Sequence, residues 1–148
     1  MIVIGVDPGS RAPAHVALDS GRTDVSEVPF SFPYACAAFL EGQFAKRGSA
    51  RQSLMTLSFY AGMAAGAYLQ QGHTVFVLQP QKWRAILLPD SARCAKLVFH
   101  NRARDAGLVP DVIWAQSTDV IDAYLIARAG AKLLQTPKRL PKPLGWTK

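Results

Sequence analysis

Apolar residues come in short blocks through the first third of the chain and at helical spacing after it. Ile2 to Val6 is a run without polar side chains closed by Asp7-Pro8-Gly9-Ser10, the pattern of a buried strand entering a tight turn. His15 to Leu18 fits a second strand, Asp19-Ser20-Gly21-Arg22 supplies turn chemistry, and Val25 to Val28 can return as a third, making a meander. Pro29 and Pro33 bracket an irregular link to Tyr34–Leu40, another apolar run of strand length, which ends at Glu41. Ser49 to Gln71 lacks proline and spaces its apolar residues helically, so the pattern predicts a long helix stopped by Gly72. Thr74–Leu78 is β-branched and aromatic, a further strand, and Pro80 suits the first turn of a short helix through Leu87. Asp90 or Ser91 can cap a third helix to about Asp105, with Gly107 at its end, and Ser117 or Thr118 a last one from Asp119 to about Leu134.

This order predicts an α/β protein, a mixed sheet of an antiparallel three-strand meander plus parallel strands flanked by helices. The ribonuclease H-like fold has the same order. Residues 1–136 form the expected single domain, and 137–148 a mobile basic, proline-containing tail. A 148-residue chain that is 49% hydrophobic can build a core without disulfides or structural zinc. Cys36 and Cys94 have no second Cys or His at metal-ligand spacing, and no secretory signal precedes Asp7, so the expected setting is reducing and cytoplasmic. The uncharged stretch Leu54–Leu69 contains a Gly62-x-x-x-Gly66 motif but is short of the roughly 20 apolar residues that a membrane span needs. A buried or interface helix is the expectation.

Charge adds a partner class. Residues 1–74 are neutral overall, with 5 basic and 5 acidic side chains, while 75–148 hold 12 basic and 5 acidic, the whole net charge of +7. That asymmetry points to a polyanion, nucleic acid before acidic membrane.

The candidate chemistry lies in four carboxylates. Asp7 and Glu41 close apolar strands, and Asp119 and Asp122 stand three apart on one helix, roughly 60° apart around its axis, so both can point to one spot. Each acid alone has an ordinary explanation: a turn for Asp7, a strand end for Glu41, the helix dipole for Asp119. Together they are more specific, because like charges against an apolar core need a cation between them. Oxygen ligands without neighbouring His or Cys favour magnesium, with manganese able to substitute. Two such ions can activate water against a phosphodiester.

Three segments carry a resemblance. Ile4-Gly5-Val6-Asp7-Pro8-Gly9-Ser10-Arg11 looks like the opening of RuvC-type Holliday junction resolvases, Phe39-Leu40-Glu41-Gly42-Gln43-Phe44-Ala45-Lys46 like their second-acid strand, and Ser117-Thr118-Asp119-Val120-Ile121-Asp122-Ala123 like their Asp-x-x-Asp-Ala helix start. The resemblance implies a ribonuclease H-like fold, Asp7, Glu41, Asp119 and Asp122 as catalytic metal ligands, and a homodimer cutting four-way DNA junctions. It further implies a dimer helix containing Gly62 and Gly66, and makes Phe44 a base contact beside the basic pair Lys46 and Arg47. Lys82, Arg84, Arg93 and Lys96 become expected phosphate contacts. Only 34 positions separate Asp7 from Glu41, leaving no room for the helix of bacterial members between the third and fourth strands. The compact form resembles phage-encoded relatives, which extends the expected substrates to other branched DNA.

Two further readings stay open at this point: a ribonuclease acting on RNA–DNA hybrids, since fold and metal site serve both, and a branched-DNA-binding module without catalysis. Trp83 is expected to be a core anchor, and His15, His73 and His100 are isolated along the chain with no role assigned.

Overall fold

The computed structural model describes residues 1–9, 13–42 and 51–145, with side chains in the long helix from residue 59 onward. One sheet holds β1 (Val3–Asp7), β2 (Ala14–Asp19), β3 (Arg22–Ser26), β4 (Ala37–Glu41) and β5 (Thr74–Leu78). Its order is β3-β2-β1-β4-β5. The β1–β2 and β2–β3 pairs are antiparallel, while β1–β4 and β4–β5 are parallel, which is the expected mixed sheet.

Helices cover both faces, and this explains the continuous apolar strands. Side chains alternate along β1: Ile4 and Val6 meet Ala64, Ala65 and Tyr68 of α1 (Arg51–Gln70), whereas Val3 points to the opposite layer. That layer holds α5 (Thr118–Gln135), with α2 (Pro80–Leu87), α3 (Lys96–Asp105) and α4 (Asp111–Trp114) around it. Its core includes Phe39, Phe76, Trp83, Phe99, Leu125 and Ile126. Full burial of such a side chain is worth about 1.5–3 kcal/mol. No described helix is long and apolar enough to cross a membrane.

Several boundaries differ from the sequence expectation, each for a local reason. The third strand starts at Arg22, three positions early, because Asp19 pairs with Arg22 and leaves a two-residue loop. Ser20 and Gly21 take φ of 41° and 87°, as the tight hairpin turn whose twist matches its strands requires. β3 is an edge strand with an exposed Arg22–Asp24 ion pair at 3.3 Å, so its polar residues hid it from an apolar-run criterion. The third helix begins at Lys96 instead of near Asp90, behind a 3₁₀ turn at Pro89–Ser91. α4 was not anticipated; four residues are too few to show a period. The tail, expected to be mobile, forms a 3₁₀ turn at Pro137–Arg139, and the Leu144 N–H bonds the Val75 carbonyl at 2.8 Å, covering part of the β5 edge.

No helix lies between β3 and β4. Phe30, Phe32 and Tyr34 stack in sequence instead, with ring centroids 5.7 and 6.1 Å apart, and Phe30 and Phe32 pack on the α1 side of the sheet. The Phe30 N–H donates to the Tyr68 hydroxyl at 3.2 Å, and that hydroxyl lies 2.7 Å from Nδ1 of buried His15. His73 is likewise structural, accepting the Cys36 N–H on Nδ1 at 3.0 Å.

Candidate active site

Sheet register brings the first two acids together. Val6 of β1 pairs with Leu40 of its parallel neighbour β4, so Asp7 and Glu41, each one residue further on, end adjacent strands side by side. By alternation both share the face of Val3 and Phe39, the face that α5 covers. Gly5, on that same face, is what lets α5 lie close: a Cβ there would collide with the Ala123 carbonyl and the Ala127 nitrogen. A second small residue on the helix side, Gly130, leaves room for the Phe39 ring. The two contacts set the height of α5 over the sheet, and with it the position of Asp122.

Ser117 starts α5, its hydroxyl accepting the Val120 N–H at 3.3 Å, so Asp119 falls in the first turn. Asp122, one turn on, is 2% exposed. The charges of Asp122, Glu41 and Asp119 all act on Asp7. Burial first, then those three acids in that order, push the Asp7 carboxyl up to about 8, although the Gly9 N–H donates to its Oδ1 at 3.1 Å. Burial and Asp122 also raise Glu41, against the Trp83 hydrogen bond. Burial would raise Asp122 too, but His100 and Lys96 outweigh it and hold this carboxyl low.

Two residues found here were not foreseen as part of the site. Buried His100 of α3 lies with Nε2 2.7 Å from Asp122 Oδ1. An ionised carboxylate only accepts, so Nε2 is the protonated nitrogen. The Trp83 indole N–H donates to Glu41 Oε2 at 3.0 Å, while its ring is fully buried in the core as expected. Neither contact has a sequence signature, because 22 and 42 positions separate the partners.

The expected basic residues take different places. Lys96 lies across the acids, with Nζ 2.6 Å from Asp122 Oδ2 and 4.0 Å from Asp119 Oδ1. Arg84 is half-buried, its guanidinium over the Trp83 and Phe99 rings at 5.5 and 5.4 Å and bonded to the Cys94 carbonyl at 3.4 Å. Lys82 and Arg93 are exposed and line one groove of about 460 Å³ beside α2. Phe44, Lys46 and Arg47 lie outside the described residues. A second groove, about 480 Å³, runs between Val25 and Ser26 of β3 and the start of α5, with Asp119 in its wall.

No protein-family model matches this sequence, and no curated protein does. Solved structures do match the fold. Thermus thermophilus RuvC in complex with a Holliday junction substrate superimposes with a TM-score of 0.65 at 16% identity, over 97% of this chain and 100% of that one. This chain has the RuvC fold. A second Thermus thermophilus RuvC structure gives a TM-score of 0.58 at 17% identity, with the same coverage of both chains. The RuvC likeness makes the mixed sheet ribonuclease H-like, in agreement with the element order along the sequence.

Among the described residues no three His, Cys, Asp or Glu side chains are already arranged around one ion position. His100 stands beside Asp122, so the absence of a neighbouring histidine expected from the sequence does not hold; with its Nε2–H given to Asp122, the remaining donor set still suits a hard divalent cation. Four carboxylates with no sulfur, one buried at the end of β1 and raised by the other three, form a concentration of negative charge that Lys96 balances only in part.

Proposed function

We propose that this chain is a magnesium-dependent, structure-selective endonuclease that resolves Holliday junctions and other branched DNA by paired phosphodiester hydrolysis. The observation that carries the reading is the convergence of Asp7, Glu41, Asp119 and Asp122 from two strand ends and one helix onto a single face. Those four would hold Mg²⁺ or Mn²⁺, and a bound divalent ion would supply an activated water and charge stabilisation at the scissile phosphate. The protein's own part is to aim the carboxylates and hold the backbone of the substrate. Trp83 and His100 fix Glu41 and Asp122, and exposed Lys82 and Arg93, with Lys96, Phe44, Lys46 and Arg47, are the proposed DNA contacts. Arg84 is proposed to act from its half-buried position, through its charge and not by reaching a phosphate. Branched DNA as substrate draws support from the RuvC neighbour bound to a Holliday junction substrate.

Paired cuts need two active sites, and α1 offers a surface for a second copy. Phe59 and Met63 are 63% and 57% exposed, and beside them Gly62 and Gly66 open to free space. A partner helix could approach closely there, so the proposed working unit is a homodimer.

Cleavage of a four-way junction, a linear DNA duplex and an RNA–DNA hybrid should be compared with and without Mg²⁺, for wild type and Asp7→Asn. Paired nicks near the crossover, absent in the variant, are the expected result. Preference for the hybrid would make the protein a ribonuclease, and junction binding without cleavage at any Mg²⁺ or Mn²⁺ concentration a binding module.

A further inference from the structure

Trp83 does more than fill the core. It is fully buried, with its ring edge-on to Phe99 at 5.6 Å and 89° and the Arg84 guanidinium 5.5 Å from its face. The Trp83 and Lys82 amides both bond the Gln79 carbonyl, which sets the first turn of α2 directly after β5. Because Glu41 pairs with Leu78 across the parallel β4–β5 ladder, the start of α2 stands beside the Glu41 side chain. A buried ring held by Phe99 and Arg84, on a backbone fixed by the Gln79 carbonyl, therefore presents its single polar atom, Nε1, to Glu41 Oε2 at 3.0 Å.

We infer that Trp83 is a positioning residue that holds one oxygen of Glu41 and leaves the other to a divalent cation. This rests on the proposed function, since it assigns a purpose to Glu41 as a ligand. The physical case is one of order. A glutamate side chain has three rotatable bonds, and ordering it costs conformational entropy. It lies among acids that repel it, Asp122 foremost. A rigid donor removes that freedom before the cation arrives, and because indole N–H only donates and does not titrate at ordinary pH, the clamp works whether or not its neighbours carry protons. Partners that orient metal ligands typically contribute 10–100-fold to metal affinity. Trp is also the one aromatic residue that satisfies both demands of this position, a large apolar body for the core and a fixed donor at its rim.

Two measurements test it. Mn²⁺ is titrated calorimetrically into DNA-free wild type and Trp83→Phe, which keeps an aromatic ring and removes the N–H. The expected result is affinity at least tenfold weaker in the variant with a cooperative melting transition retained. Equal affinity would overturn the inference while leaving the proposed function standing. No binding of Mn²⁺ or Mg²⁺ by wild type would remove both. The second measurement does not depend on the variant of Trp83 folding. In ¹⁵N-tryptophan-labelled protein, Glu41→Gln and, separately, Mn²⁺-free addition of Mg²⁺ to wild type should each shift the Trp83 indole N–H resonance by more than that of Trp114. A Trp83 resonance that moves in neither experiment would refute the clamp.

Discussion

Asp7→Asn should make the protein more stable while removing its activity, and the gain should grow with pH. The Asp7 carboxyl is pushed up to about 8 in the folded protein, from 3.8 when unfolded. A raised acid contributes stability below its unfolded value, and that contribution is lost as pH rises through the folded one, because the unfolded chain gives up its proton first. Each pH unit in this window is worth about 1.4 kcal/mol, so wild type should lose on the order of 4 kcal/mol to Asp7 between pH 4 and pH 7. Neighbouring acids share protons with Asp7, so about 2–4 kcal/mol is the range to expect for the variant over wild type at pH 7. Asparagine keeps an oxygen for the Gly9 N–H, so the turn after β1 survives. Urea unfolding of both proteins at pH 5 and pH 7.5, with a chelator present, measures the difference directly. The gap should widen with pH in chelator and narrow when Mg²⁺ is added to wild type. A variant no more stable than wild type at pH 7.5, or a gap independent of pH, would refute the electrostatic account of the site.

Other perturbations have equally definite outcomes. His15, held to about 4 by burial, resists charging in the folded state, so its contribution is present above 6.5 and lost as pH falls toward 4; because the Asp7 contribution runs the opposite way over this window, the readout is the difference in urea-unfolding stability between wild type and His15→Phe, which should shift against wild type by roughly 3 kcal/mol as pH falls from 6.5 to 4. Gly5→Ala must push α5 off β1, costing at least about 1–3 kcal/mol by chemical denaturation, and should depress cleavage more than Ala substitution at an exposed glycine outside the site and the α1 surface, Gly145. His100→Ala strips Asp122 of its buried donor and should lower the cleavage rate about 10–100-fold while Lys96 remains; a wild-type rate would show that His100 serves only the core. Met63→Glu on α1 should shift sedimentation toward the monomer and abolish paired cutting of a junction without abolishing nicking.

Much of this architecture was legible along the chain because it depends on local pattern. The runs ending at Asp7 and Glu41 marked the two parallel neighbours, Gly72 with φ of 82° ended α1 where expected, and the Ser117 cap placed Asp119 and Asp122 one turn apart. Four acids could be singled out because carboxylates at the ends of apolar runs, or inside an apolar helix, stand out against their neighbours. Edge strand β3 and short α4 carried too little periodic signal, and α3 starts at Lys96 after Ala95 with no side-chain cap to mark the position.

What the chain decided by itself was therefore which residues are buried and which side of each element they lie on, since side-chain alternation and helical period are properties of the backbone alone. What tertiary structure decided was who meets whom. His100 reaches Asp122 across 22 positions, Trp83 reaches Glu41 across 42, and Arg84 is held over aromatic rings that stand in two different helices. Such pairs leave no trace in spacing, because the distance between them is fixed by the height of α5 above β1 and the angle at which α2 leaves β5. Only the packed sheet and helices set those two quantities, and on them depends whether four separate carboxylates become one site.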